Sequence, residues 1–294
     1  MNVSGLGDVF VRDTGAATAQ KGTVLLLHGW MFPGETNWRH CYRPLAEAGY
    51  RAVSIDHRGH GRGLRPSKPF RLIDCASDAA ALVRHLGCGP VVVAGYSMGG
   101  AIAQLMAAAH PELVTGLVLS GTATDWRQHA RDRFVWRTMS ILQFWLRLFP
   151  RHYWAWLARE VYPDDEDGVN WLISELSRNS PHDLAEAGRD LGRFDSRDWL
   201  PQVKVPIAVV CTRRDQLVWP SAQRRIVALV PGTTLFEINA DHGAPLMRPD
   251  LFTDALLRAA EDVRGRSSLD APASGAGYPI STRPEGRDSR APRR

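Results

Sequence analysis

A serine set among small residues, Gly95-Tyr96-Ser97-Met98-Gly99-Gly100, stands between the apolar β-branched run Val91–Ala94 and the small-residue stretch Gly99–Ala109. No other feature constrains the fold as tightly. The run before it reads as a strand; the stretch after it reads as a helix that ends before Pro111. A strand can pass into a helix over one or two residues only if the two backbones come very close, and glycine on either side permits that. The serine at such a turn is held in a strained conformation with its hydroxyl projecting outward. The helix that follows aims free N–H groups and its positive dipole end at any negative charge developing there. The G-x-S-x-G pattern alone is common. With a strand before it and a helix after it, it reads as a nucleophile elbow.

The same alternation runs along the chain. Strands are predicted at Val24–Leu27, Ala52–Ile55, Val91–Ala94, Leu113–Leu119, Ile207–Cys211 and Thr233–Ile238. Helices are predicted at Cys75–Leu86, Ser221–Leu229 and Pro249–Val263, and Asn37 reads as the cap of a helix running to Ala48, with Gly49 as its stop. Alternating strands and helices give an α/β fold with a mostly parallel sheet flanked by helices. Between residues 122 and 200 the strand signals stop, and six of the ten Trp fall within residues 126–171. This segment reads as an inserted helical cap over the carboxyl edge of the sheet, where open α/β sheets bind ligands. The expected organisation is a core of residues 1–121 and 201–264, a cap of 122–200, and a disordered basic tail over 265–294.

Composition removes other classes. At 44% hydrophobic the chain is not disordered as a whole, and its uncharged apolar runs are far too short to span a bilayer. Four Cys without a C-x-x-C pair read as reduced, buried thiols with no metal or redox role. The first ten residues lack the basic and apolar regions of a signal peptide, so a cytoplasmic location is expected. The net charge of +5 does not describe one basic surface. The tail carries six Arg against Asp270, Glu285 and Asp288, and residues 126–159 carry seven Arg against Asp132. The remainder is therefore acidic, and no nucleic-acid partner is expected.

The motifs His28-Gly29-Trp30, Asp56-His57-Arg58-Gly59-His60-Gly61, Gly95-Tyr96-Ser97-Met98-Gly99-Gly100, Asp215 and Asp241-His242 together carry a resemblance. From about Val9 to Val263 the chain resembles the α/β-hydrolase superfamily, in particular serine esterases and lipases with a helical cap. The resemblance implies a Ser–Asp–His triad in that chain order, no cofactor and no metal. Ser97 is then the nucleophile. Only His242 lies beyond Pro201 to serve as the base, in the loop Asn239–Pro245. Asp215, just past the strand Ile207–Cys211, is the expected acid. Asp125, after the preceding strand, and Asp241, beside the histidine, are its rivals. The oxyanion hole is expected from the Met98 and Trp30 amides, with Met31 as an alternative to Trp30. His28 reads as a structural hydrogen-bonding residue. The Asp56–Gly61 turn is a brace in this family, so His57 and His60 read as non-catalytic. Two positions depart from the family pattern: Gly63 stands where Ser is common, and Asp241 where Gly usually precedes the histidine. Both bear on loop shape.

The implied chemistry is hydrolysis of a small-molecule carboxylic ester through an acyl-enzyme. Thioester hydrolysis, C–C bond hydrolysis and perhydrolysis use the same triad. A non-catalytic ligand-binding protein of the same fold is the rival from another class. Residues 126–159 hold five Trp, three Phe and one Tyr, which favours a lipophilic substrate. These aromatics read either as pocket lining or as a peripheral contact with a lipid surface. The acidic run Pro163–Gly168 reads as a solvated turn.

Overall fold

Continuous apolar runs belong in a sheet covered on both sides, and that is where they lie. The computed structural model describes residues 1–127 and 130–267. A short hairpin, β1 (Asn2–Val3) and β2 (Gly7–Asp8), precedes the main sheet. Its strands are β3 (Val11–Asp13), β4 (Thr23–Leu27), β5 (Arg51–Ile55), β6 (Val91–Tyr96), β7 (Val114–Ser120), β8 (Ile207–Thr212) and β9 (Thr234–Ile238). They are ordered β3-β5-β4-β6-β7-β8-β9. β3 pairs antiparallel with β5, and every other pairing is parallel.

Strand alternation assigns side chains to two cores. Leu25 and Leu27, Val91 and Val93, and Val209 and Cys211 enter one apolar cluster. Val24 and Leu26, Val92 and Ala94, and Ala208 and Val210 enter the other. Each fully buried leucine of β4 stabilises the fold by about 2 kcal/mol relative to exposure.

On one side the sequence continues into α1 (Gly34–Trp38) and α2 (Tyr42–Glu47), and on the other into α3 (Leu72–Leu86) and α4 (Met98–Ala109). A Cβ on Gly99 would lie 2.0 Å from the Leu27 carbonyl oxygen, so only glycine lets α4 start this close to β4. Two expectations shift here. α3 begins at Leu72, three residues before Cys75. Asn37 caps no helix: it lies inside α1, and its side-chain oxygen accepts from the Gly29 N–H at 2.7 Å. A buried loop N–H needs a partner more than an exposed helix end does, since water can satisfy the latter.

Between β7 and β8 the described residues form α5 (Ala130–Arg137), α6 (Met139–Leu148), α7 (Pro150–Val161), α8 (Glu166–Leu176) and α9 (Pro181–Leu191). Both ends of this insertion meet where Asp125 and Asp195 form an isolated β-bridge. Its helices build a third apolar cluster from Leu146, Trp154, Leu172, Leu176 and Leu184, joined by Met31 from the loop after β4. The acidic run at 163–168 starts a helix: Asp165 caps α8 by accepting from Gly168 N–H, and Glu166 and Asp167 sit at its positive end.

After β8 come α10 (Pro220–Leu229), α11 (Ala244–Met247) and α12 (Pro249–Ser267). The tail expected from residue 265 therefore starts too early, because 265–267 complete the last turn of α12. The rest of that expectation, 268–294, lies outside the described residues. Among the described residues no helix is long and apolar enough to cross a membrane.

Candidate active site

Ser97 closes β6 and caps α4 with φ 54° and ψ −118°, a region that residues with a Cβ seldom adopt. Glycine spacing fixes this turn. A Cβ on Gly95 would lie 2.3 Å from the Gly99 carbonyl oxygen, and one on Gly100 would strike the Thr122 side chain at 2.5 Å. The Ser97 N–H donates to the Ser120 carbonyl at 2.9 Å, tying the turn to β7.

His242 arrives from the loop after β9. Its Nε2 lies 3.0 Å from Ser97 Oγ, and its Nδ1 lies 2.7 Å from Asp215 Oδ2. Asp215 is 1% exposed and surrounded by donors. Thr212 Oγ1 donates to Oδ2 at 2.7 Å, with Gln223 Nε2 at 3.2 Å, and the Leu217 and Val218 N–H groups donate to Oδ1 at 2.9 and 2.8 Å. Burial pushes the Asp215 carboxyl up, but the His242 charge and hydrogen bond, with the Val218 N–H and the Thr212 hydroxyl, outweigh it. The net position is below the ordinary carboxylate value, so Asp215 stays ionised beside the imidazole.

The rival carboxylates are engaged elsewhere. Asp125 accepts from the Arg127 N–H at 2.8 Å and faces Arg197 and Arg225 at 3.8 and 3.9 Å. Asp241 accepts from its own loop, at Gly243 N–H, at 2.8 Å.

Two supporting residues are not singled out by the sequence: Tyr96, which fills a variable position of the elbow motif, and Gln223. Tyr96 donates its hydroxyl to the His242 carbonyl, its ring 5.2 Å from the imidazole, and so holds the histidine loop. Strand alternation is the signal that could have found it: Tyr96 follows Val92 and Ala94 onto the face toward α12. Gln223, fully buried on α10, binds Thr212 through both ends of its amide and also reaches Asp215.

Trp30 and Met31 turn directly after His28-Gly29. Met31 has φ 67°, and its carbonyl accepts from Asn179 Nδ2 at 2.7 Å. Asn179 in turn accepts from the Gly61 N–H at 2.8 Å. The Asp56 turn thus braces this loop from below. Asp56 accepts from Gly34 and Arg62 N–H groups, and Arg58 makes a bidentate pair with Asp78. At Gly63 a Cβ would lie 2.2 Å from the His57 carbonyl oxygen, so this turn has no room for the serine common there. Met98 opens α4, where its N–H has no carbonyl one turn earlier.

His28, His57 and His60 form a buried imidazole cluster, with His28 and His57 rings 4.2 Å apart. His28 Nε2 accepts from the His57 N–H at 2.8 Å, which assigns the proton to Nδ1, facing the Gly29 carbonyl. Burial holds His28 down at about 4 and His60 at about 3, and burial lowers His57 too. In the unfolded chain each titrates near 6.5. The cluster's stability is therefore complete above that pH and is lost as pH falls from it through the folded values. Between pH 7 and 5 each of His28 and His60 should cost about 2 kcal/mol. Urea unfolding midpoints at the two pH values check this. An unchanged midpoint, or His60→Phe with the same pH dependence, rules it out.

A cavity of about 420 Å³ opens over Ser97 and His242, walled by Trp30, Trp126, Trp136, Tyr153, Trp156 and Leu157. Its wall is apolar apart from Asn37, Asp125, Asp132, Gln216 and the reacting groups. Among the described residues one set of metal-binding side-chain types converges, His182, Asp183 and Glu186, and none of the three lines this cavity. Glu186 already accepts from the Phe70 N–H.

The family model described as the alpha/beta hydrolase fold matches residues 22–249. A 3-oxoadipate enol-lactonase of Acinetobacter baylyi is 24% identical over 70% of this chain and 77% of its own length. A pimeloyl-[acyl-carrier protein] methyl ester esterase of Chromobacterium violaceum is 28% identical over 86% of this chain and 98% of its own. A solved esterase from Exiguobacterium antarcticum superposes with a TM-score of 0.76 at 23% identity, covering 88% of this chain and 98% of that one. That structural likeness speaks to the fold.

Proposed function

We infer that this chain, which belongs to the α/β hydrolase fold family, is a serine hydrolase cleaving carboxylic esters of lipophilic small or medium-sized substrates. One observation carries the reading: a continuous hydrogen-bonded line from Ser97 Oγ through His242 to Asp215, opening on an apolar cavity. The reading takes residues 1–121 and 201–264 as the core and 122–200 as a cap that shapes this cavity.

Ser97 Oγ attacks the ester carbonyl carbon as His242 Nε2 takes its proton. Asp215 fixes the imidazole tautomer and stabilises the imidazolium. The oxygen that gains charge is held by the Met98 N–H at the start of α4 and the Trp30 N–H of the loop after β4. His242 then returns its proton to the alkoxide, and the alcohol leaves. Water, deprotonated by His242, attacks the acyl-enzyme carbonyl; His242 then returns that proton to Ser97 Oγ as the serine leaves and the acid is freed. No cofactor enters any step. An aromatic wall with few polar groups favours an aliphatic or aryl acyl chain, because few polar substrate atoms would find partners there.

A fluorophosphonate probe and a p-nitrophenyl ester series from acetate to palmitate test the reading. One adduct is expected, at Ser97. kcat/KM should rise by up to about fourfold per added methylene from acetate through the medium chains as methylenes leave water, then fall at palmitate, which overfills the cavity. No adduct and no turnover would end the hydrolase reading. An adduct without ester turnover would move it to a thioester, a C–C bond or perhydrolysis.

A further inference from the structure

Helix α6 is apolar on two opposite faces. Met139 and Leu146, 3% and 0% exposed, face the protein. On the other side Ile141, Phe144, Trp145 and Leu148 are 58%, 58%, 53% and 52% exposed. Their spacing places them in one stripe along the helix. Single exposed apolar residues are ordinary, but a continuous stripe of large ones marks a contact surface. Ring contacts extend it. Trp145 packs on Phe149 at 5.5 Å and Phe149 on His152 of α7 at 6.2 Å. One turn further along α7, Trp156 is 58% exposed and lines the Ser97 cavity. Leu217 and Trp219, 65% and 39% exposed, also line that cavity. Exposed apolar side chains thus run from α6 along α7 to the lining of the cavity.

Charge identifies the partner. Arg133, Arg137, Arg147, Arg151 and Arg159 stand exposed on α5–α7, against Asp132 and Glu160. Among the described residues no ion pair engages Arg137, Arg147, Arg151 or Arg159. A two-fold contact between copies of this chain would set these guanidinium groups against one another. Aromatics ringed by uncompensated arginines match an anionic lipid surface, where the rings enter the acyl boundary and the arginines meet phosphate.

We propose that α5–α7 seat this protein on an anionic bilayer surface, with the mouth of the Ser97 cavity toward the lipid. A lipophilic substrate then enters from the lipid phase. That last consequence rests on the ester-hydrolase reading; the seating itself does not.

Sedimentation of the full chain with vesicles tests it: phosphatidylcholine alone against phosphatidylcholine mixed with phosphatidylglycerol, at low and physiological salt. Binding is expected to the anionic vesicles, weaker as salt rises, and not to the neutral ones. Phe144→Ser/Trp145→Ser should lower partitioning at least tenfold, as should Arg147→Glu/Arg151→Glu. None of these four side chains lines the cavity, so fluorophosphonate labelling and thermal midpoint should match the parent. No binding to anionic vesicles overturns the proposal. So does unchanged binding by both variants, or a dimer that Phe144→Ser/Trp145→Ser dissolves. Sedimentation requires no turnover, so failure of the hydrolase reading leaves this result interpretable.

Discussion

Ser97→Ala is expected to lower ester turnover by about 10⁴- to 10⁶-fold while leaving the fold in place. The side chain makes one contact of consequence, with His242 Nε2 at 3.0 Å, and its turn is fixed by the backbones of β6, β7 and α4. Alanine at φ 54° bears no more strain than serine does, so the elbow should persist. The change in stability should stay within about 1 kcal/mol. The residual rate expected is that of water attacking a carbonyl polarised by the oxyanion donors proposed above, the Met98 and Trp30 N–H groups. Purified parent and variant, compared on p-nitrophenyl butyrate and by thermal melting, decide the matter. Turnover within tenfold of the parent, at an unchanged melting midpoint, would take the nucleophile's role away from Ser97.

Such an experiment could be designed from the sequence, because the elbow is written in local terms. Gly95, Ser97 and Gly99 are fixed by backbone clearances within a few residues of one another, and such constraints leave a spaced pattern in the chain. The strands were legible for a related reason. A sheet covered on both faces makes whole runs apolar, as in Val24–Leu27 and Ile207–Cys211. What the sequence hid depends on partners far along the chain. Asn37 looks like a cap because it is short and polar before a helical pattern, yet its partner is the Gly29 N–H across a buried loop. Gln223 reads as an ordinary helix residue until α10 brings it against Thr212 and Asp215. Asp165 looked like part of a solvated turn because its run of acids conceals which one begins a helix. In α6 the sequence gives apolar residues nearly all round, and only packing separates the buried Leu146 from the exposed Trp145.

Asp215→Asn should be nearly as damaging as the loss of Ser97, with kcat lower by about 10⁴-fold and KM little changed. Around Asp215 every neighbour is a donor: the Leu217 and Val218 N–H groups on Oδ1, and Thr212, Gln223 and the His242 ring on Oδ2. An asparagine NH₂ has no acceptor at the Oδ1 position, and at the Oδ2 position only the Thr212 hydroxyl, which already accepts from Gln223. Turned toward Oδ1 it meets two backbone N–H groups and unpairs both, at a cost of about 1–3 kcal/mol for the buried one at Val218. Turned toward Oδ2 it meets the His242 Nδ1–H, and the ring relieves the clash only by moving its proton to Nε2. That tautomer aims a donor at Ser97 and cannot accept the serine proton. Either way the imidazolium also loses the adjacent carboxylate, which is held ionised below its ordinary pKa. The variant should therefore melt earlier as well as turn over slowly. Its residual activity should rise with pH into the alkaline range, where hydroxide replaces the lost base. Steady-state kinetics from pH 6 to 10 beside thermal melts would read both effects. If Asp215→Asn keeps a tenth of the parent kcat while Asp125→Asn loses 10³-fold or more, the acid is Asp125, and the loop after β7 supplies it.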